Sequence, residues 1–155
     1  MLDLYEELKA LVGQLNEAKI NYALCGGLAL ALYGILRATI DIDILIEKES
    51  LDQVQVLALG LGYTIKAEPM TSAQGAIEIR RVSKVDPEGG DLLSMDFLLV
   101  TPEISPIWKS RKEVGWEEGK LWAIFREGLV RLKSLRGNAQ DLDDIQKLKE
   151  ETDES

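Results

Sequence analysis

The chain has no histidine and a single cysteine in 155 residues. Without imidazole there is no Ser-His-Asp triad, no Cys-His pair, no histidine zinc ligand and no histidine switch near neutral pH. Cys25 alone supports neither an internal disulfide nor a multi-cysteine metal site, which fits a reducing cytoplasm. Positive charge is also scarce: 18 Lys and Arg stand against 27 Asp and Glu, a net charge of −9. Duplex nucleic acids are held mainly by phosphate neutralisation, so this balance argues against a broad nucleic-acid surface, though not against a local patch. Long apolar runs are missing too. Tyr22 to Leu36 is 15 residues long and holds three glycines, whereas a membrane span needs about 20. Met1 to Lys9 alternates acidic and apolar residues, so no signal peptide is expected. What is present is ordinary for a globular protein: 46% apolar and 29% charged residues. That composition excludes disorder, and the length suits one domain.

Local patterns predict the elements. Asp3-Leu4-Tyr5-Glu6 is a capping box, and Leu4, Leu8, Leu11 and Leu15 follow as one helical stripe that Asn21 breaks. Tyr22 to Cys25 is a short apolar segment stopping at Gly26-Gly27, and Leu28 to Leu36 is a buried helix ending near Gly34. Asp41 to Glu47 alternates, with Ile42, Ile44 and Ile46 on one side and Asp41, Asp43 and Leu45 on the other, so it is a strand. Ser50-Leu51-Asp52-Gln53 opens a second capped helix, which Gly60 and Gly62 end. Ile77 to Val85 and Leu92 to Val100 form a hairpin across the turn-rich Asp86 to Asp91. Thr101 to Pro106 is a loop, Trp108 to Lys120 a helix then a turn, and Leu121 to Phe125 a short strand. Leu129, Leu132 and Leu135 begin a helix that Leu142, Ile145 and Leu148 continue or follow with another. The expected architecture is one α/β (α+β) domain over residues 1–149, a mixed, partly antiparallel sheet with helices mainly on one face, and a frayed acidic tail at 150–155.

The chemistry concentrates between Cys25 and Ile44. Residues i and i+2 of a strand share a face, about 7 Å apart along the chain. Asp41 and Asp43 can therefore converge on divalent ions. Two carboxylates about 5 Å apart repel by roughly 3 kcal/mol at an effective dielectric near 20, so a cation or a basic partner is needed. Oxygen-only ligands favour Mg²⁺ or Mn²⁺ over zinc. The spacing is not that of an EF-hand, since no glycine stands sixth and no glutamate twelfth after Asp41. Solvated aspartates on an exposed strand are the plain alternative. Gly26 and Gly27, at a strand end leading into a helix, would bring bare backbone N–H groups to an anion such as the phosphates of a metal-bound nucleoside triphosphate; a simple tight turn is their alternative. Asp96 lies in an apolar strand and is the best third carboxylate, because a buried unpaired acid is costly. If Val85 pairs with Asp91, Arg80 stands opposite Asp96. That gives either an ion pair or, the favoured reading, a third metal ligand or general base with Arg80 near the phosphates. Glu78 is the runner-up for the carboxylate role.

Other residues carry weaker signals. Cys25 is expected as a small buried side chain, and Trp108, Trp116 and Trp122 as packing rather than base-stacking groups. Lys109, Arg111, Lys112, Arg126, Arg131 and Arg136 make the C-terminal half locally basic, and Asp141 fits a helix cap.

The run from Gly26 to Gly34, then Arg37-Ala38-Thr39-Ile40-Asp41-Ile42-Asp43-Ile44, then Asp96, resembles the nucleotidyltransferase fold superfamily. Within it the likeness is to small bacterial AbiEii-like and related toxin–antitoxin nucleotidyltransferases, whose Lys…Arg…Asp…Asp-Ile ending is similar to Lys133, Arg136, Asp141, Asp144 and Ile145. The resemblance implies transfer of a nucleoside monophosphate from an NTP to an acceptor. Asp41 and Asp43 would hold two Mg²⁺ (or Mn²⁺) ions, and Asp96 would bind the metal nearest the acceptor and take its proton. Gly26 and Gly27 would contact the β- and γ-phosphates, Lys133 would neutralise phosphate charge, and Arg37 with Thr39 would order the nucleotide site. A cognate antitoxin and a cytoplasmic setting are further implications. Tyr33 stands where the group often has histidine, and Gln140 where it has lysine or arginine. No acceptor region is visible, which leaves a non-catalytic binding or regulatory protein as the alternative.

Overall fold

The computed structural model describes residues 3–32, 41–117, 119–137, 142–147 and 149. Helix α1 (Leu4–Glu17) begins where the Asp3 carboxylate accepts the backbone N–H groups of Tyr5 and Glu6, a cap worth about 1 kcal/mol. It buries Leu8, Leu11, Val12 and Leu15. The helix stops before Asn21, because Lys19 takes a left-handed φ of 57° and Ile20 turns back onto the Leu15 carbonyl. Strand β1 (Tyr22–Cys25) runs directly into α2 (Gly26–Leu32), so that helix starts two residues earlier than expected. The expected end near Gly34 falls outside the described residues.

Strand β2 (Asp41–Ile46) is followed by α3 (Leu51–Gly60), and the short strands β3 (Ile65–Lys66) and β4 (Met70–Ser72) come next. The capping box at Ser50 is not made. A single 3-10 turn over Lys48–Ser50 brings Ser50 into helical geometry (φ −89°, ψ −8°), and its side chain makes no cap hydrogen bond. The predicted hairpin is β5 (Ile77–Val85) and β6 (Leu92–Leu99). Helix α4 (Ser105–Lys109) takes Pro106 into its first turn, where a missing N–H costs nothing.

Of the segment Trp108 to Lys120, read as helix then turn, Trp108 and Lys109 do end α4, but Lys112–Trp116 is strand β7, which pairs antiparallel with β8 (Gly119–Ala123). It lies at the sheet edge, half exposed, where a β-strand carries little apolar alternation. Helix α5 (Arg126–Arg136) follows and ends at Gly137 in the left-handed conformation; residues 142–147 are helical again.

The sheet order is β3-β5-β6-β2-β1-β8-β7, with β4 also on β5. Pairs β2–β6 and β1–β8 are parallel, and the other neighbours antiparallel. This is the mixed sheet with flanking helices that the sequence predicts. Its centre is apolar: Leu24, Ile42, Ile44, Met95 and Phe97 are all buried. No helix among the described residues is long and apolar enough to cross a membrane.

Candidate functional site

Sheet register assembles the site. Cys25 on β1 stands beside Asp43 on β2, Asp43 beside Asp96 on β6, and Asp96 beside Arg81 on β5. Laterally paired residues share a face, so these four side chains form one row across four strands. Asp41 begins the next row, beside Ser94 and Ser83, whose hydroxyls hydrogen-bond at 2.8 Å. The three predicted acids are thus brought to one face.

The hairpin register differs from the expectation by one residue. The Asp86 N–H donates to the Asp91 carbonyl at 2.7 Å, so Asp86 and Asp91 close the turn and Val85 pairs with Leu92. A one-residue slip turns every side chain to the other face. Arg81, not Arg80, therefore opposes Asp96, and Arg80 pairs with Phe97 on the far face and donates to the Ile79 carbonyl. The Arg81 guanidinium grips Asp96 with both arms: Nε donates to Oδ1 at 2.7 Å and Nη2 to Oδ2 at 2.9 Å. It also approaches Asp41 Oδ2 at 3.8 Å. Glu78 shares the face of Arg80 and is paired with Lys48 at 2.8 Å, which lowers its carboxyl below the ordinary value. It takes no part in the acid row.

Gly26 shows why that position lacks a side chain. Its φ is +73°, and a Cβ there would overlap the Asp43 carboxylate, 2.7 Å from its Cγ. The backbone opening α2 is thereby laid against the acid row, and Gly27 follows within the helix. Arg37 and Thr39 lie outside the described residues.

A small pocket, partly open to solvent, sits over this row. Asp43, Asp96, Cys25 and Gly26 form its polar side. Ile77, Ile79 and Leu98 extend it as an apolar floor, and α5 covers it with Leu129, Leu132, Lys133 and Arg136. Lys133 is almost fully buried, and its Nζ meets Asp144 Oδ2 at 3.1 Å. Local sequence reasoning missed Arg81 and the apolar floor. The tandem Arg80-Arg81 on an alternating strand was the available signal, since one of the two had to face the acids.

The electrostatics are those of crowded acids. Burial first, then the charges of Asp96 and Asp41, push the Asp43 carboxyl up to about 7, with Arg136 and Lys133 pulling the other way. Burial and Asp96 raise Asp41, opposed by Arg81. Arg81 is held yet more firmly protonated by its hydrogen bonds to Asp96. Burial, and then Asp43, push the Cys25 thiol well up, so it is a packed thiol and not a thiolate nucleophile. Among the described residues no three acids already form a ready metal-binding set. Two of the tryptophans pack as expected. Trp108 is buried beneath Arg111, whose guanidinium lies 4.0 Å from its ring centroid, and Trp116 meets Tyr5 at 5.6 Å.

No family model matches the chain, and no curated protein matches it. Solved structures do. A candidate nucleotidyltransferase from Thermotoga maritima aligns with a TM-score of 0.64 and 14% identity, over 95% of this chain and 92% of its own. The antibiotic-resistance factor ANT(2″)-Ia, in complex with adenylyl-2″-tobramycin, aligns with a TM-score of 0.62 and 12% identity, over 92% and 86%. JHP933 from Helicobacter pylori aligns at 0.54 and 18%, over 91% and 62%. At these identities the likeness is one of fold: the chain has the architecture of nucleotidyltransferases.

Proposed function

We propose that the protein is a divalent-metal-dependent nucleotidyltransferase that moves a nucleoside monophosphate from an NTP to an acceptor hydroxyl. The observation that carries this reading is the placement of Asp41, Asp43 and Asp96 on one face of two paired parallel strands, against Gly26, in a fold shared with nucleotidyltransferases. The donor set fits a hard cation. All the ligands are carboxylate oxygens, and burial first, then their mutual repulsion, raises the Asp43 carboxyl. Asp41 and Asp43 would hold Mg²⁺ or Mn²⁺, joined by Asp96. The metal would supply charge neutralisation and polarise phosphoryl oxygens.

The chain's own groups divide the remaining work. The backbone N–H groups at Gly26 and Gly27 would meet the β- and γ-phosphates. Arg136 and Lys133, which offset the acid charge from α5, would add positive potential. Asp96 would accept the acceptor proton as the acceptor oxygen bonds to the α-phosphorus and pyrophosphate departs. Positioning and charge neutralisation supply most of the catalysis in such a displacement. The apolar floor would exclude water beside the reacting groups.

The acceptor class remains a nucleic-acid end, a protein or a small-molecule hydroxyl; the toxin role with a cognate antitoxin rests on the sequence resemblance. One observation favours a second reading, a binding or regulatory protein without turnover: both oxygens of Asp96 are already engaged by Arg81. Incubation with each α-labelled NTP, Mg²⁺ and a cell extract separates the two. Label transfer that falls by about 100-fold or more in Asp41→Asn and Asp43→Asn supports the enzyme. Absence of NTP binding by calorimetry, with and without metal, rules it out.

A further inference from the structure

Arg81 occupies a place that the proposed chemistry does not explain. It lies opposite Asp96 by strand register, so its position is built into the sheet and is not a chance surface contact. It uses two of its donors on Asp96 and stands 3.8 Å from Asp41. Arginine stays protonated throughout the accessible pH range, so this positive charge cannot be titrated away. The Asp96 side chain is 8% exposed, whereas that of Arg81 is 39% exposed. The acid is thus anchored in the sheet, and the guanidinium at its outer side has solvent to move into.

Resting on the nucleotidyltransferase reading, we infer that Arg81 is a resident counter-cation that competes with divalent metal for Asp96 and, once displaced, turns to the incoming triphosphate. Two cations cannot share the same carboxylate oxygens at close range without strong repulsion. Metal alone must therefore pay for expelling Arg81, whereas metal arriving with a triphosphate brings an anion that re-pairs the released guanidinium. The site stays closed to free metal and opens to the metal–nucleotide complex. Arg81 is a positioning residue for Asp96 in the resting state and a phosphate contact in the loaded state.

The test uses the full chain and Mn²⁺ alone as its first probe. Isothermal titration of Mn²⁺ is compared among wild type, Arg81→Gln and Arg81→Lys. The second probe is the Mg²⁺ complex of the NTP selected by the transfer assay. Arg81→Gln should bind Mn²⁺ about tenfold more tightly than wild type and the Mg²⁺–NTP complex about tenfold more weakly. Arg81→Lys, which keeps the charge but only one arm of the grip, should lie between them. It also carries the test if melting curves show that Arg81→Gln does not fold. A merely structural role would not make the two affinities move in opposite directions. Unchanged or weaker Mn²⁺ binding in both variants overturns the competition, and unchanged or tighter Mg²⁺–NTP binding overturns the phosphate contact. If wild type transfers label but the variants bind Mn²⁺ as it does, only this inference fails. If neither wild type nor variants bind Mn²⁺ or any NTP, the enzyme reading fails with it.

Discussion

Two ion pairs reach the pocket, one from the sheet and one from α5, and they differ in geometry, a two-armed guanidinium against a single ammonium contact, and above all in exposure. Arg81–Asp96 has side chains 39% and 8% exposed, whereas Lys133–Asp144 has 4% and 0%. A half-exposed guanidinium can leave its partner and be rehydrated. A buried ammonium cannot, because the desolvation cost of the lone charge far exceeds what a surface pair contributes. The comparison separates a part able to move from a part that holds α5 to the segment containing Asp144.

The largest expected effect breaks the buried pair. Asp144→Ala should destabilise the protein by about 3–5 kcal/mol in urea titrations, because Lys133 is left charged and unpartnered by Asp144. Arg81→Gln should cost less, about 1–3 kcal/mol, since it leaves the buried Asp96 carboxylate behind but glutamine still offers that carboxylate a donor. Equal losses for the two would break the distinction.

Gly26→Ala comes next. The added methyl meets the Asp43 carboxylate and must also adopt a left-handed φ, which should cost about 1–3 kcal/mol and weaken NTP binding. An alanine variant with wild-type melting and NTP affinity would show that the close approach does not matter.

The acid row also predicts a pH profile. The Asp43 carboxyl is pushed up to about 7, above the roughly 3.9 of an unfolded aspartate. The folded state holds the proton to higher pH, so this group's stabilising contribution is complete below about pH 4 and is lost as pH rises through about 7. Asp43→Asn, which has no such proton to lose, should flatten that decline in melting temperature. Parallel profiles for wild type and variant would show that Asp43 does not titrate there.

The smallest effect sharpens the register argument. Arg80→Ala, on the far face, should change stability by less than about 0.5 kcal/mol and leave Mn²⁺ affinity unaltered, in contrast to its neighbour. A metal-affinity change matching that of Arg81→Gln would contradict the strand pairing.

Much of the architecture is legible without coordinates because it is local. The Asp3 cap and the leucine stripe fix α1, and the strict alternation in Asp41 to Ile46 fixes both a strand and the shared face of its two acids. The apolar run around Asp96 marks a buried strand in the same way. Strand β7 was illegible for the opposite reason: at an edge, Lys112, Glu113 and Gly115 are solvent-exposed and leave only Val114 and Trp116 as an apolar alternation, too short to mark a strand. The Ser50 cap failed because a preceding turn changed the backbone that the serine side chain would have needed.

The sequence by itself determined that Asp41 and Asp43 share a face, that a glycine pair precedes them and that no imidazole or thiol chemistry is available, since strand periodicity and composition are properties of the chain alone. Only the tertiary structure decided that Arg81 rather than Arg80 grips Asp96, that Asp43 and Asp96 stand side by side, and that α5 covers them with Lys133 and Arg136. Those outcomes depend on strand register and on contacts between distant segments. Register is settled by how one turn closes and by which partner each strand meets, and neither is written in any short stretch of residues.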